Sequence, residues 1–304
     1  MLAASFHVVP MTANARAWQR LFEPAARPRV RLLVRTVWLR ESVNGILPVA
    51  RIGGEIAAYR FLRSHVAERG MVAATLIVDM ALSVLTQAAF TLIGLALLVA
   101  GGHGGIDVAH AAAAIAVMAV LGVAFVLAQR SGAIGLLAAR IDRLLAGRVA
   151  SLHARSVRVE EALRATYDRR RDVASALAWQ VGGWVAGAGE IWLALHFLGH
   201  PASVQDALVI EAIVQAASSA AFVVPGALGI QEGVFVLVGA ALGIEPATAL
   251  ALAAARRLRD VLVFVPGVAV YQWSELRPHA KFGAAQRPSP SSRARREGAD
   301  TQGD

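Results

Sequence analysis

The chain has 304 residues, 57% of them hydrophobic against 17% charged, and a mean hydropathy of +0.55. That balance excludes the ordinary soluble enzyme classes and points to a membrane protein, because several apolar stretches reach the roughly 20 residues needed to cross a bilayer core of about 30 Å. Cysteine is absent, which removes disulfides, thiolate metal sites and cysteine nucleophiles, and the net charge of +9 is nearly all arginine set beside apolar stretches, without the interleaved aromatics of a nucleic-acid surface.

Met1–Ala15 is apolar, but it lacks a basic leader and is interrupted by His7 and Pro10. It reads as the end of a span that begins upstream rather than as a signal peptide. After a basic region from Arg16 to Arg69, Met71–Ala100 is the first clear crossing and holds Asp79. The Gly101–Gly105 turn leads to a second crossing, Ile106–Ala128, and the two form a helical hairpin. Residues 130–172 are the one extended polar region, with Val159, Leu163 and Thr166 at helical spacing, which predicts a cytoplasmic interfacial helix. Further crossings follow at Val173–Leu198, which holds Glu190, and at Ala207–Val224, which holds Glu211 and stops at Pro225-Gly226. Leu228–Gly243 is too short to cross comfortably, and Ala247–Trp273 is a full span interrupted by Arg256, Arg257, Arg259 and Asp260. The Pro, Ser and Arg-rich residues 277–304 read as a disordered basic tail after a membrane domain of residues 1–276. The stretches Gly101–Asp107, Leu198–Asp206 and Gly243–Ala247 contain no arginine, so the basic loops and the tail are expected on the cytoplasmic side. Long unbroken apolar runs without barrel alternation make the expected fold an all-α polytopic transmembrane bundle.

Two segments share a spacing. Ser42, Pro48, Ala50 and Glu55 recur 177 residues later as Ser219, Pro225, Ala227 and Glu232. In each copy an apolar stretch ends at proline, passes small residues and resumes after a glutamate, which is how a discontinuous or re-entrant membrane helix is written. The charge rule places the two copies in opposite orientations, as in transporters built from inverted repeats around a midplane cavity.

Charges within apolar spans cost about 2.5–3.5 kcal/mol each on insertion scales, so each needs a partner or a watery cavity. Arg256, Arg257 and Arg259 are expected near mid-depth, where they hold a lipid phosphate or pair with Glu211 and Glu232, although Arg256 reaches the interface if its span begins later. Glu55 and Glu232 follow helix breaks and either cap backbone donors or act as a proton-titrating gate. Glu190 and Glu211 face the cavity or the outer interface, and Asp79 is expected to pair with an arginine from Arg51–Arg69. His196 and His200 have metal-ligand spacing but complete no site, and no nucleotide loop or catalytic triad order is present. The expectation is therefore no metal, no cofactor and no enzymatic activity.

Asn44, Pro48, Arg51, Gly53, Gly54 and Glu55, then Pro225-Gly226-Ala227-Leu228-Gly229-Ile230-Gln231-Glu232-Gly233, then Arg256, Arg257, Arg259 and Asp260 followed by Pro266-Gly267, resemble the hopanoid-biosynthesis-associated HpnL family. That family lies within the larger group named after the membrane region of lysylphosphatidylglycerol synthase. The resemblance runs from Leu2 to Trp273 and does not include an aminoacyl-transferase portion. It implies a multi-pass bacterial inner-membrane protein with a flippase-like domain that moves hopanoid or a related polar-headed lipid. It implies an opening membrane segment upstream of Met1. In the wider group, arginine often follows the acidic position matching Asp79, whereas Met80 stands here. The alternatives are a non-catalytic scaffold for hopanoid-synthesis proteins and a phospholipid flippase of the aminoacyl-phosphatidylglycerol type.

Overall fold

The computed structural model describes residues 5–47, 53–101, 116, 150–220 and 227–276. The expected second crossing at 106–128, Pro48 and Arg51 of the first helix break, Pro225 and Gly226 of the second, residues 130–149 and the tail lie outside them. Among the described residues there are nine α-helices and no strand. The fold is a helical membrane bundle, as the composition requires.

The first helix, α1, covers Val8–Leu21 and buries Met11, Ala15, Trp18 and Leu21 along one face. It ends at Phe22, whose backbone is extended, and a short 3-10 turn at Pro24–Ala26 leads to α2, Val30–Ile46. Leu47 stops α2 at φ −93° and ψ 143°, because the following Pro48 forbids its neighbour the helical region. The chain resumes in α3, Gly53–Leu62, which packs back on α2. A side chain at Gly54 would collide with the Arg40 carbonyl and the Asn44 amide, so the close approach of the two helices requires glycine.

α4 runs from Arg69 to Ala100, 32 residues or about 48 Å. Among the described residues it is the one helix long and apolar enough to cross a bilayer by length and composition. α5, Ala150–Asp168, packs on α4 through Leu163 and Tyr167, so the polar region expected at the interface contributes one face to the core. α6, Arg170–Phe197, is closed by Gly199 at φ +77°. α7, Val204–Ala220, begins with reciprocal Ser203 and Asp206 bonds of 3.0 and 3.1 Å. After the second break come α8, Ile230–Ala241, and α9, Pro246–Leu276, which continues through Pro266. At 12 residues α8 is too short to cross, as expected. Residues 1–268 form one compact unit, and the described part of the second is the end of α9.

The 177-residue spacing extends from four matched residues to whole helices. Gly53 and Ile230, the first residues of α3 and α8, are 177 positions apart, as are Arg69 and Pro246, the first residues of α4 and α9. Packing follows the same exchange. α1 packs on α2 as α6 packs on α7, and α2 on α3 as α7 on α8. α4 meets α7 where Gly94 lies against Ala212, and α9 meets α2 where Gly267 lies against Ser42 and the Trp38 indole donates to the Val263 carbonyl at 2.7 Å. Two four-helix halves, α1–α4 and α6–α9, are therefore built on one plan.

Two apolar cores result. One gathers Trp18, Leu33, Leu62, Val72, Leu163 and Ala176, and the other Leu98, Leu195, Ile210, Phe235 and Leu252. α4 and α6 pass through both. The segments of α4 and α6 between the cores carry Thr86, Gln87, Gln180, Trp184 and Glu190, and a polar layer forms there.

Candidate functional site

The buried charges begin at Asp79, which is 2% exposed on α4 among residues of the first core. Its carboxylate accepts from the Arg40 guanidinium of α2 at 2.7 Å and from the Gln180 amide of α6 at 3.1 Å. This corrects the expected partner. Arg40 of α2, 39 residues from Asp79 and before the Arg51–Arg69 stretch, supplies it. The residue after Asp79 being Met80 is thereby compensated across helices rather than locally. Arg40 also lies 3.8 Å from Glu55 and over the Trp18 ring at 5.4 Å. Thr86 and the Trp184 indole continue the network from Gln180 at 3.0 and 3.2 Å.

The second half repeats this site with the charges exchanged. Arg256 stands 177 positions after Asp79 and pairs with Glu211 of α7, at 2.6 and 3.3 Å, in a bidentate contact. Arg256 is therefore buried against α7, in the pairing with Glu211 that the sequence offered. Gly187 on α6 makes room for this pair: a Cβ there would stand 3.1 Å from Glu211 Oε1. Arg257 pairs with Glu232 at 2.7 Å, and Glu232 also accepts from the Gly229 backbone N–H at 2.7 Å. Glu232 is thus both a cap of α8 and an ion-pair partner. Gly229, at φ +79°, supplies the turn into α8, and the Gln231 amide bonds Ser218 at 2.9 Å across the second break. At the first break the Gly54 N–H donates to the Asn44 side chain at 2.8 Å, so Asn44 caps the helix that Gly53 opens.

A third cluster joins the halves. The Arg259 guanidinium bonds Glu190 of α6 and holds Asp260 at 2.6 Å, and it reaches the His7 ring just before α1 at 2.9 Å. His7 Nδ1 lies 2.7 Å from Glu190, and its Nε2 lies 3.5 Å from Glu41 of α2. Arg259, expected to meet a lipid head group, thus already has carboxylate partners.

The expected Arg256, Arg257, Arg259, Glu211 and Glu232 set does come together, and Glu190 and Asp260 join it. The sequence reading missed His7, Arg40, Glu41, Gln180 and Ser218. One signal was available for the first pair: the 177-residue spacing carries Asp79 onto Arg256, a match of complementary rather than identical residues.

A family model described as the lysylphosphatidylglycerol synthase TM region matches residues 1–267. No curated protein and no solved structure matches the chain. With its helical bundle and polar middle layer, the chain belongs to the lysylphosphatidylglycerol synthase TM-region family and is a membrane protein related to lipid handling.

Proposed function

We propose that the chain moves a polar-headed lipid between the leaflets of a bacterial inner membrane, with a hopanoid as the leading cargo. The observation that carries this reading is the pair of buried ion pairs inside an otherwise apolar bundle, Arg40 with Asp79 in the first half and Arg256 with Glu211 in the second. The HpnL resemblance of the Asn44–Glu55 and Pro225–Gly233 segments supports the choice of hopanoid. The arginine pattern supports inverted halves with the basic loops and tail in the cytoplasm.

The charges work by exchange of partners. Arg257 and Glu232 are 24% and 30% exposed, the most open of the ion pairs in the α7–α9 part of the layer. A head group carrying a phosphate or polyol replaces Glu232 at Arg257 first and is handed to the deeper Arg256 and Arg259. Glu55 and Glu232 gate the two helix breaks. Since the sequence carries no nucleotide motif, a proton gradient or equilibrium scrambling supplies the driving force, and the chain itself performs no bond chemistry.

The test is the hopanoid content of separated inner and outer membranes in a deletion strain and in that strain complemented with this chain. Unchanged total hopanoid with a depleted outer membrane, restored on complementation, supports transport. A fall in total hopanoid supports the scaffold reading, in which the paired charges serve packing alone and the partners are hopanoid-synthesis proteins. No change in either quantity removes hopanoid as the cargo and leaves phospholipid.

A further inference from the structure

The cluster that joins the halves has an excess of acid. Glu190 and Asp260 both contact one guanidinium, Arg259, and Glu41 lies on the far side of the His7 ring that touches it. Arg256 stands near Glu190 but is engaged by Glu211, and Arg40 stands near Glu41 but is engaged by Asp79. Asn14 on α1 adds a neutral hydrogen bond to Glu41. The group between the carboxylates is the His7 imidazole, one ring nitrogen 2.7 Å from Glu190 and the other 3.5 Å from Glu41, with Phe264 edge-on at 5.7 Å. Nδ1 faces an acceptor, Glu190, and a donor, the Arg259 guanidinium at 2.9 Å, so the ring has partners in both states: the imidazolium donates to Glu190 and points its second N–H at Glu41, and the neutral ring accepts from Arg259 and keeps its N–H toward Glu41.

We propose that His7 is the proton-binding site that couples protonation to the relative movement of the two halves, a reading that rests on the transport function proposed above. Four segments meet at the ring: the start of α1 and Glu41 of α2 from the first half, and Glu190 of α6 and Arg259 of α9 from the second. With a proton bound, the imidazolium bridges Glu41 to Glu190 and holds the halves together. Loss of that proton to water leaves the two carboxylates facing each other with one cation fewer, and the contact between α2 and α9 loosens. Glu41, at 24% exposure the most open member, is the route by which the proton enters and leaves. The step is a proton binding and release, with no other bond made or broken.

Two measurements on the full chain separate this proposal from the transport reading. The first is 15N spectroscopy of histidine-labelled protein in lipid nanodiscs between pH 5 and 11, with His7 assigned by loss of its signal in His7→Gln. It expects both ring nitrogens protonated at the acid end and a cooperative change to a single tautomer at the alkaline end. The second is lipid movement in vesicles of phosphatidylglycerol, phosphatidylethanolamine and a polar hopanoid, followed against pH. Wild type is expected to show a sigmoidal profile whose midpoint matches the 15N change, and His7→Gln a flat one. If His7→Gln does not fold, Glu41→Gln is read instead. Removing one carboxylate from the ring moves the midpoint of lipid movement to lower pH, which a merely structural role would not do.

A His7 that stays in one protonation state across the range overturns the proposal, as does a wild-type midpoint unmoved by Glu41→Gln. A titrating His7 in vesicles that move no lipid overturns the transport reading while the proton site stands.

Discussion

The Glu211–Arg256 contact offers the sharpest test of the charge-exchanged layer. The pair is 3% and 9% exposed and makes bonds of 2.6 and 3.3 Å. Glu211→Leu leaves a guanidinium buried without its bidentate acceptor, and Arg256→Met leaves a buried carboxylate. Breaking a buried pair by removing one partner costs about 3–5 kcal/mol, whereas replacing both with apolar residues of similar volume is close to neutral. Each single variant is therefore expected to lose about 3 kcal/mol or more and the double variant less than about 1.5 kcal/mol, which gives a coupling of several kcal/mol. Unfolding of the purified protein in bicelles, with all four members of the cycle measured in the same lipid, reads these values. Single losses below about 1 kcal/mol, or losses that simply add in the double variant, would show that the charges are watered rather than paired and refute the reasoning.

Other perturbations test neighbouring parts. Arg257→Ala removes a partly open pair and is expected to cost under about 1 kcal/mol of stability while lowering lipid movement at least tenfold; equal activity at equal stability removes Arg257 from the transport path. Gly54→Ala forces a methyl against the Arg40 carbonyl and the Asn44 amide and should cost about 1–3 kcal/mol. Gly182→Ala, which meets nothing within 4 Å, should be neutral or stabilising by about 0.5–1 kcal/mol in the same assay. Asn44→Ala removes the cap on the Gly54 N–H at a cost of about 1 kcal/mol, read together with faster amide exchange at the start of α3.

The helix breaks were legible because their causes are local. Leu47 must be extended before Pro48, and Gly229 turns the chain at positive φ. The long helices were legible from composition, and α4, α6 and α9 begin within a few residues of Met71, Val173 and Ala247. The ion pairs were only partly legible, because each depends on which helices touch. Arg40 lies 39 residues from Asp79 and looked like a flank of a basic stretch, and His7 lies 183 residues from Glu190 and looked like an interruption of an apolar run. A search for matching residues also overlooks complementary ones. Asp79 and Arg256 occupy one position of the repeat with opposite sign, and the partners on α2 and α7 show what that exchange means.

The confinement of the two deepest pairs to their own halves bears on how the chain is made. Arg40 meets Asp79 within α1–α4, and Glu211 meets Arg256 within α6–α9, across 39 and 45 residues of chain. A half leaving the ribosome can thus neutralise its charge before the other has been synthesised, and neither has to wait in lipid with a bare ion. The His7 to Arg259 contact spans 252 residues and can close only after α9 is complete. Biogenesis is thereby ordered: each half becomes tolerable to the bilayer by itself, and the joint between them is the last piece to set.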